Sequence, residues 1–171
     1  MNDAAETEVE EKGKGEVFFY HLTRAPLEAA LPMLLDRSLQ AGWRVCVRGP
    51  NEDRLNWLDE RLWLHPEDSF LPHGRAGNAQ EASQPILLTG SDDIPNDADA
   101  LMSIEGAEIS EPEMRQHKRV FVVFDGNDPD AVAHARTQWM AVKQAGVTAK
   151  YWSQESGRWE MKASTEPDAS S

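Results

Sequence analysis

"RVFVVFDGNDPDAVAHARTQWMAVKQAG", residues 119–146, decides the fold. Its first eight residues are the most hydrophobic strand-like run in the chain and read as a central, buried strand. Asn127 or Asp128 then serves as a helix cap with Pro129 at the first helical position, and Gly146 ends a helix over 128–145. A buried strand that passes directly into a helix is the repeating unit of an α/β sheet.

The same alternation extends outward in both directions. "EVFFYHL" (16–22) reads as a strand, and "PLEAALPMLLDRSLQAG" (26–42) as a helix with Pro26 near its start, a kink at Pro32 and Gly42 as terminator. "WRVCVRG" (43–49) is a second strand, followed by a helix over 51–64. A proline- and glycine-rich connection spans roughly 65–84. "PILLTG" (85–90) and "ADALMSI" (98–104) follow as strands, and Ser110-Glu111-Pro112-Glu113 is the capped start of a short helix. "VTAKYWSQ" and "RWEMK" close the domain as a hairpin. The pattern predicts one three-layer α/β/α domain over residues 16–161 with a mostly parallel or mixed sheet. Acidic, disordered tails are expected at 1–15 and 162–171.

Composition narrows the function. The chain has 171 residues, is 40% hydrophobic and holds six Trp, enough for a substantial core. No run approaches the roughly 18 apolar residues of a membrane helix, and the acidic N-terminus lacks a signal-peptide core. A cytoplasmic protein without membrane contact is the expectation. Net charge is −13, and the two ends account for five of these charges, leaving −8 between them. Such a domain is poorly suited to unaided binding along a phosphate backbone, which needs clustered Lys and Arg. Direct contact with nucleic acid is therefore expected to be minor.

Few motifs carry chemistry. Asp125, Asp128 and Asp130 lie where α/β folds bind ligands, beyond a strand C-terminus, so a small nucleotide- or metal-binding enzyme using the Asp125–Asp130 loop is the alternative reading. Capping and turn formation explain the same residues more simply. Cys46, the one cysteine, falls within a hydrophobic strand and reads as a packing thiol, not a nucleophile. His21, His65, His73, His117 and His134 show no metal-ligand spacing. No metal, cofactor or catalytic residue is assigned.

One combination of motifs is specific. "LNWLDERLWLHPEDSFLPHGR" (55–75) contains L-D-x-x-L-W followed by S-F-x-P-H, at Leu58, Asp59, Leu62, Trp63, Ser69, Phe70, Pro72 and His73. With "FYHLTRAPLEAALPMLL", "AGWRVCV", "QPILLTG", "VFVVFDG" and "GVTAKYW", it resembles the chi subunit family of bacterial DNA polymerase III over about residues 16–161. The resemblance implies a Rossmann-like fold and a non-catalytic accessory role in the clamp-loader complex. It also implies binding to the acidic C-terminal tail of single-stranded-DNA-binding protein, and to a psi subunit where one exists. A helicase is a further possible partner.

Such a tail ends in an aromatic residue with a free carboxylate, so its receptor needs an apolar bed rimmed by cations. The late helix offers Arg136, Trp139, Met140 and Lys143. On a helical wheel Val132, Ala135, Trp139 and Val142 form the expected core stripe. Arg136 and Lys143 lie roughly 60° and 40° to one side of Trp139, and Met140 about 100°. The resemblance matches Arg136 and Trp139 to a basic and an aromatic position of the family, whereas Met140 stands where many relatives carry lysine. A second partner surface is expected at Trp63, Phe70, Leu71, Pro72 and His73.

Overall fold

The fold is organised by β6 (Arg119–Asp125), whose side chains alternate between two hydrophobic layers. Phe121 and Val123 join one layer, and Val120, Val122 and Phe124 join the other. The computed structural model describes residues 15–63, 71–77, 79–156 and 158–165. Besides β6, the strands are β1 (Glu16–Leu22), β2 (Val45–Arg48), β3 (His73–Arg75), β4 (Ile86–Thr89), β5 (Ala100–Ile104), β7 (Thr148–Ser153) and β8 (Glu160–Ser164). They form a single sheet in the order β3-β4-β2-β5-β6-β1-β7-β8. Every pairing is parallel except the β7–β8 hairpin.

Helices α1 (Leu27–Gln40) and α2 (Glu52–Trp63) cover one face, and α3 (Glu111–Gln116) and α4 (Pro129–Gln144) the other. Leu31, Leu34 and Leu35 of α1, with Leu55, Leu58 and Leu62 of α2, pack on β1, β2, β4, β5 and β6. Each such leucine contributes about 1.5–3 kcal/mol through burial. The three-layer α/β/α architecture expected from sequence is therefore present. No helix among the described residues is long and apolar enough to cross a membrane.

Local chemistry explains the element boundaries. Asp128 caps α4, its carboxylate accepting the Asp130 N–H at 3.0 Å, with Pro129 following. Ser110 and Glu113 form a reciprocal capping box on α3. Pro26 is the N-cap of α1, one position earlier than the sequence suggests, and the helix continues unbroken through the buried Pro32. β3 is a correction, because residues 73–75 fall within the proline- and glycine-rich connection expected over 65–84. Its three residues carry no apolar alternation, and parallel pairing to β4 makes it a strand. β8 runs to Ser164, past the expected domain end at residue 161, and Thr165 donates its N–H to the Ala149 carbonyl at 2.8 Å.

Cys46 in β2 is fully buried in the layer under α3 and α4. Burial pushes its thiol up to about 12, overriding the opposite pull of Arg48. At neutral pH the thiolate is essentially absent. A thiol-reactive dye should leave the native protein unlabelled over a period in which the urea-unfolded protein reacts completely. Rapid stoichiometric labelling of the native state would contradict this burial.

Candidate functional site

The burial pattern of α4 changes how its surface is read. Ala135, Gln138 and Val142 are its buried residues, whereas Val132 and Trp139 are only partly covered. Ala135 and Val142 are buried as expected, but the centre of the buried face lies about 50° from the expected stripe, toward Gln138. Gln138 donates from Nε2 to the Ala107 carbonyl at 3.3 Å, which compensates its burial. The consequence for the opposite side is direct. Arg136, Met140 and Lys143 all lie on the far side of Trp139 from Gln138, and all three are exposed, Met140 at 49%.

Trp139 rests on an aromatic bed. Its ring meets Phe19 edge-on at 5.3 Å and Tyr151 edge-on at 5.9 Å. The Tyr151 hydroxyl is hydrogen-bonded to His21 Nδ1 at 2.5 Å, and His21 and Tyr151 both pack on Phe124. Burial raises the Tyr151 phenol, and the positive charge of Arg136 pulls it partly back. The guanidinium therefore projects its field over the edge of the aromatic bed. Gly126 supports this arrangement from below, since a Cβ there would stand 1.8 Å from His21 Cδ2. The four expected residues share one helix face, with Arg136 and Lys143 about 10 Å apart along the axis.

The second expected surface separates into inner and outer parts. Trp63, the last residue of α2, is 54% exposed and lies over His73 with ring centroids 4.1 Å apart. His73 is buried, with Nδ1 2.6 Å from the Leu71 carbonyl and Nε2 3.0 Å from the Asp59 carbonyl. Asp59 also brings its carboxylate to 3.2 Å from Nε2. Leu71 belongs to the core beneath α1 and α2, and Pro72 is partly covered. His73 and Leu71 thus fasten the chain to α2, while Trp63 presents a ring to solvent. Phe70 lies outside the described residues. A shallow groove of about 490 Å³, with Trp63, His73, Arg75, Gln80 and Gln84 in its wall, runs beside this stack.

The Asp125–Asp130 loop borders a cavity of about 740 Å³ at the C-terminal ends of β1, β5 and β6. Two of the loop's three carboxylates accept backbone N–H groups. Asp125 accepts the Asn127 N–H at 2.9 Å and Asp128 caps α4. Among the described residues no three His, Cys, Asp or Glu side chains converge as a metal would require.

Sequence reasoning missed an aromatic basin on the α1 face, formed by Phe18, Tyr20, Trp43, Phe121, Trp152 and Trp159 with Arg37 and Arg119. These residues are scattered over 142 positions of chain, from Phe18 to Trp159. The abundance of Trp was the only sequence signal for it.

The fold and surface define a three-layer α/β domain with exposed aromatic and cationic side chains on two of its helices. The DNA polymerase III chi subunit family (HolC) matches residues 15–150, and the chain belongs to that family of replication accessory subunits. Among relatives, the probable DNA polymerase III subunit chi of Rickettsia prowazekii (strain Madrid E) is 23% identical over 111 residues. That alignment covers 62% of this chain and 67% of the relative. The DNA polymerase III subunit chi of Escherichia coli (strain K12) is 35% identical over 49 residues, covering 29% of this chain and 33% of that protein.

Proposed function

We propose that the protein is a tether: its α4 face binds the acidic C-terminal tail of single-stranded-DNA-binding protein and holds the replicase to coated template. The observation that carries this reading is the turning of α4 about Gln138. It leaves Arg136, Met140 and Lys143 in solvent beside the half-covered Trp139. An aromatic side chain of the tail packs on Trp139 and Met140, where apolar contact and sulfur–ring attraction favour it. The terminal carboxylate takes a charge-assisted hydrogen bond from Arg136, and Lys143 extends the positive rim along the helix. Lys143 here supplies charge that Met140 does not. Each contact is weak, but many tails on one coated strand raise the effective concentration of the next.

The Trp63 face serves a different partner in this scheme, a clamp-loader subunit, psi-like where one exists, or a helicase. Its half-exposed ring, braced from behind by a buried histidine, has the character of an interface anchor.

Fluorescence anisotropy with a labelled peptide copying the host tail tests the tether. Saturable binding that weakens with salt is expected, together with at least a tenfold loss when the terminal Phe is removed. Equal binding of the two peptides, or binding of neither, would overturn the assignment.

A further inference from the structure

We infer that the aromatic basin on the α1 face is a contact site for one nucleotide of single-stranded nucleic acid. The base lies among the rings, and the phosphate lies on Arg37 and Arg119. The basin is a cavity of about 240 Å³ on the sheet face opposite α4, so it is independent of the tail site. It is closed on one side by the β7–β8 hairpin, which supplies Trp152 and Trp159.

Three observations favour a nucleotide. The walls are flat rings already in stacking order. Tyr20 and Trp152 are within 11° of parallel at 6.4 Å, and Trp159 meets Tyr20 edge-on at 5.0 Å. Bases stack on such rings without regard to sequence.

The charge is locally positive in an acidic molecule. Arg119 lies over the Phe18 ring at 4.0 Å and the Trp43 ring at 5.0 Å. Arg119 and Lys150 both approach the Glu16 carboxylate, at 3.7 and 3.2 Å. Arg37 forms no ion pair with a described residue and stands exposed on the rim. Both guanidiniums line the basin and can take a phosphate, an anion whose geometry the guanidinium fork matches.

The third observation separates a base from a peptide's aromatic side chain. Arg119 Nε and Trp152 Nε1 are buried N–H donors without an acceptor in the basin wall. A phenylalanine ring brings no acceptor to them, whereas a base carries oxygen and nitrogen acceptors around its edge. A duplex keeps its bases inside its own stack, so the ligand is a single strand. The overall negative charge makes the contact weak and strongly salt-dependent, a secondary hold on a strand delivered by another protein.

The test is a titration of the ¹⁵N-labelled full chain with a dT oligonucleotide, following the six Trp indole N–H signals. A ribo-U arm asks which strand is preferred, and an abasic deoxyribose-phosphate chain serves as control. Shifts of the Trp43, Trp152 and Trp159 indoles are expected, with Trp63 and Trp139 unmoved. Log affinity should fall by about 0.7 per log unit of salt for each phosphate engaged. Arg37→Glu should weaken binding at least tenfold while the melting temperature holds, and Arg37→Lys should retain most of it. Absence of these shifts at millimolar oligonucleotide would overturn the site. So would shifts confined to Trp139 or Trp63, or equal binding of the abasic chain. An acidic peptide moving Trp152 and Trp159 where neither oligonucleotide does would likewise replace the nucleotide with a peptide ligand.

Discussion

Arg48→Ala is expected to destabilise the domain by about 3–5 kcal/mol, the cost of stripping one partner from a buried ion pair. Arg48 ends β2 with 3% of its surface exposed and pairs with Glu113 at 2.7 Å. Its guanidinium also donates to the carbonyls of Ser91 at 3.2 Å, Asp92 at 3.0 Å and Glu108 at 3.0 Å. Truncation therefore orphans three carbonyls and a carboxylate at once, releasing the β4–β5 loop and the approach to α3 together. Urea unfolding should show a lower midpoint with an unchanged slope. A loss below about 1 kcal/mol would mean that these loops hold their places without the guanidinium.

Glu113 gives the same clasp a pH signature. Burial works to raise its carboxyl, but Arg48 and the Ser110 N–H and hydroxyl outweigh it and hold the group below the usual carboxylate range. A carboxyl held low in the native state stabilises the fold above its unfolded value of about 4.3. That stability is lost as pH falls through the native value. The melting-temperature gap between wild type and Glu113→Gln should be full at pH 7 and close on acidification.

The second large effect concerns binding. Arg136→Ala should reduce affinity for the single-stranded-DNA-binding protein tail by about tenfold or more, since a hydrogen bond to a charged group is worth about 1.5–3 kcal/mol. Arg136 is exposed and makes no ion pair with a described residue, so the melting temperature should move little. Met140→Lys should act in the opposite direction, adding charge between Arg136 and Lys143. Unchanged binding in Arg136→Ala would move the tail off α4 even if the peptide still bound elsewhere.

The sequence was most legible where local signals repeat. β6, α4 and the caps at Asp128 and Ser110 follow from hydrophobic runs bounded by capping residues, which act over a few positions. β3 escaped because His73-Gly74-Arg75 has no periodicity, and its pairing partner β4 begins 13 residues later. The Arg48–Glu113 clasp joins positions 65 residues apart, and neither residue type announces burial. On α4 the four expected site residues do share a face. The wheel was nevertheless centred wrongly, because a buried Gln138 satisfied by Ala107 is invisible to hydrophobic patterning. Leu71, expected on the second partner surface, packs inward, and His73 fastens the loop through hydrogen bonds to the Leu71 and Asp59 carbonyls.

The strand order also has a temporal side. β1 leaves the ribosome before the other described strands, yet its two neighbours are β6 and β7, which begin about a hundred residues or more later. β2, β4 and β5 can pair with one another while synthesis continues, but β1 has nowhere to settle until β6 has emerged. Through that interval "EVFFYHL" is an apolar strand with both edges open, the kind of segment that aggregates or recruits a chaperone. Maturation of this protein should therefore be limited by completion of its C-terminal half. Stalled nascent chains ending before residue 119 should leave Val17–Leu22 open to protease, and chains released after β7 should protect it.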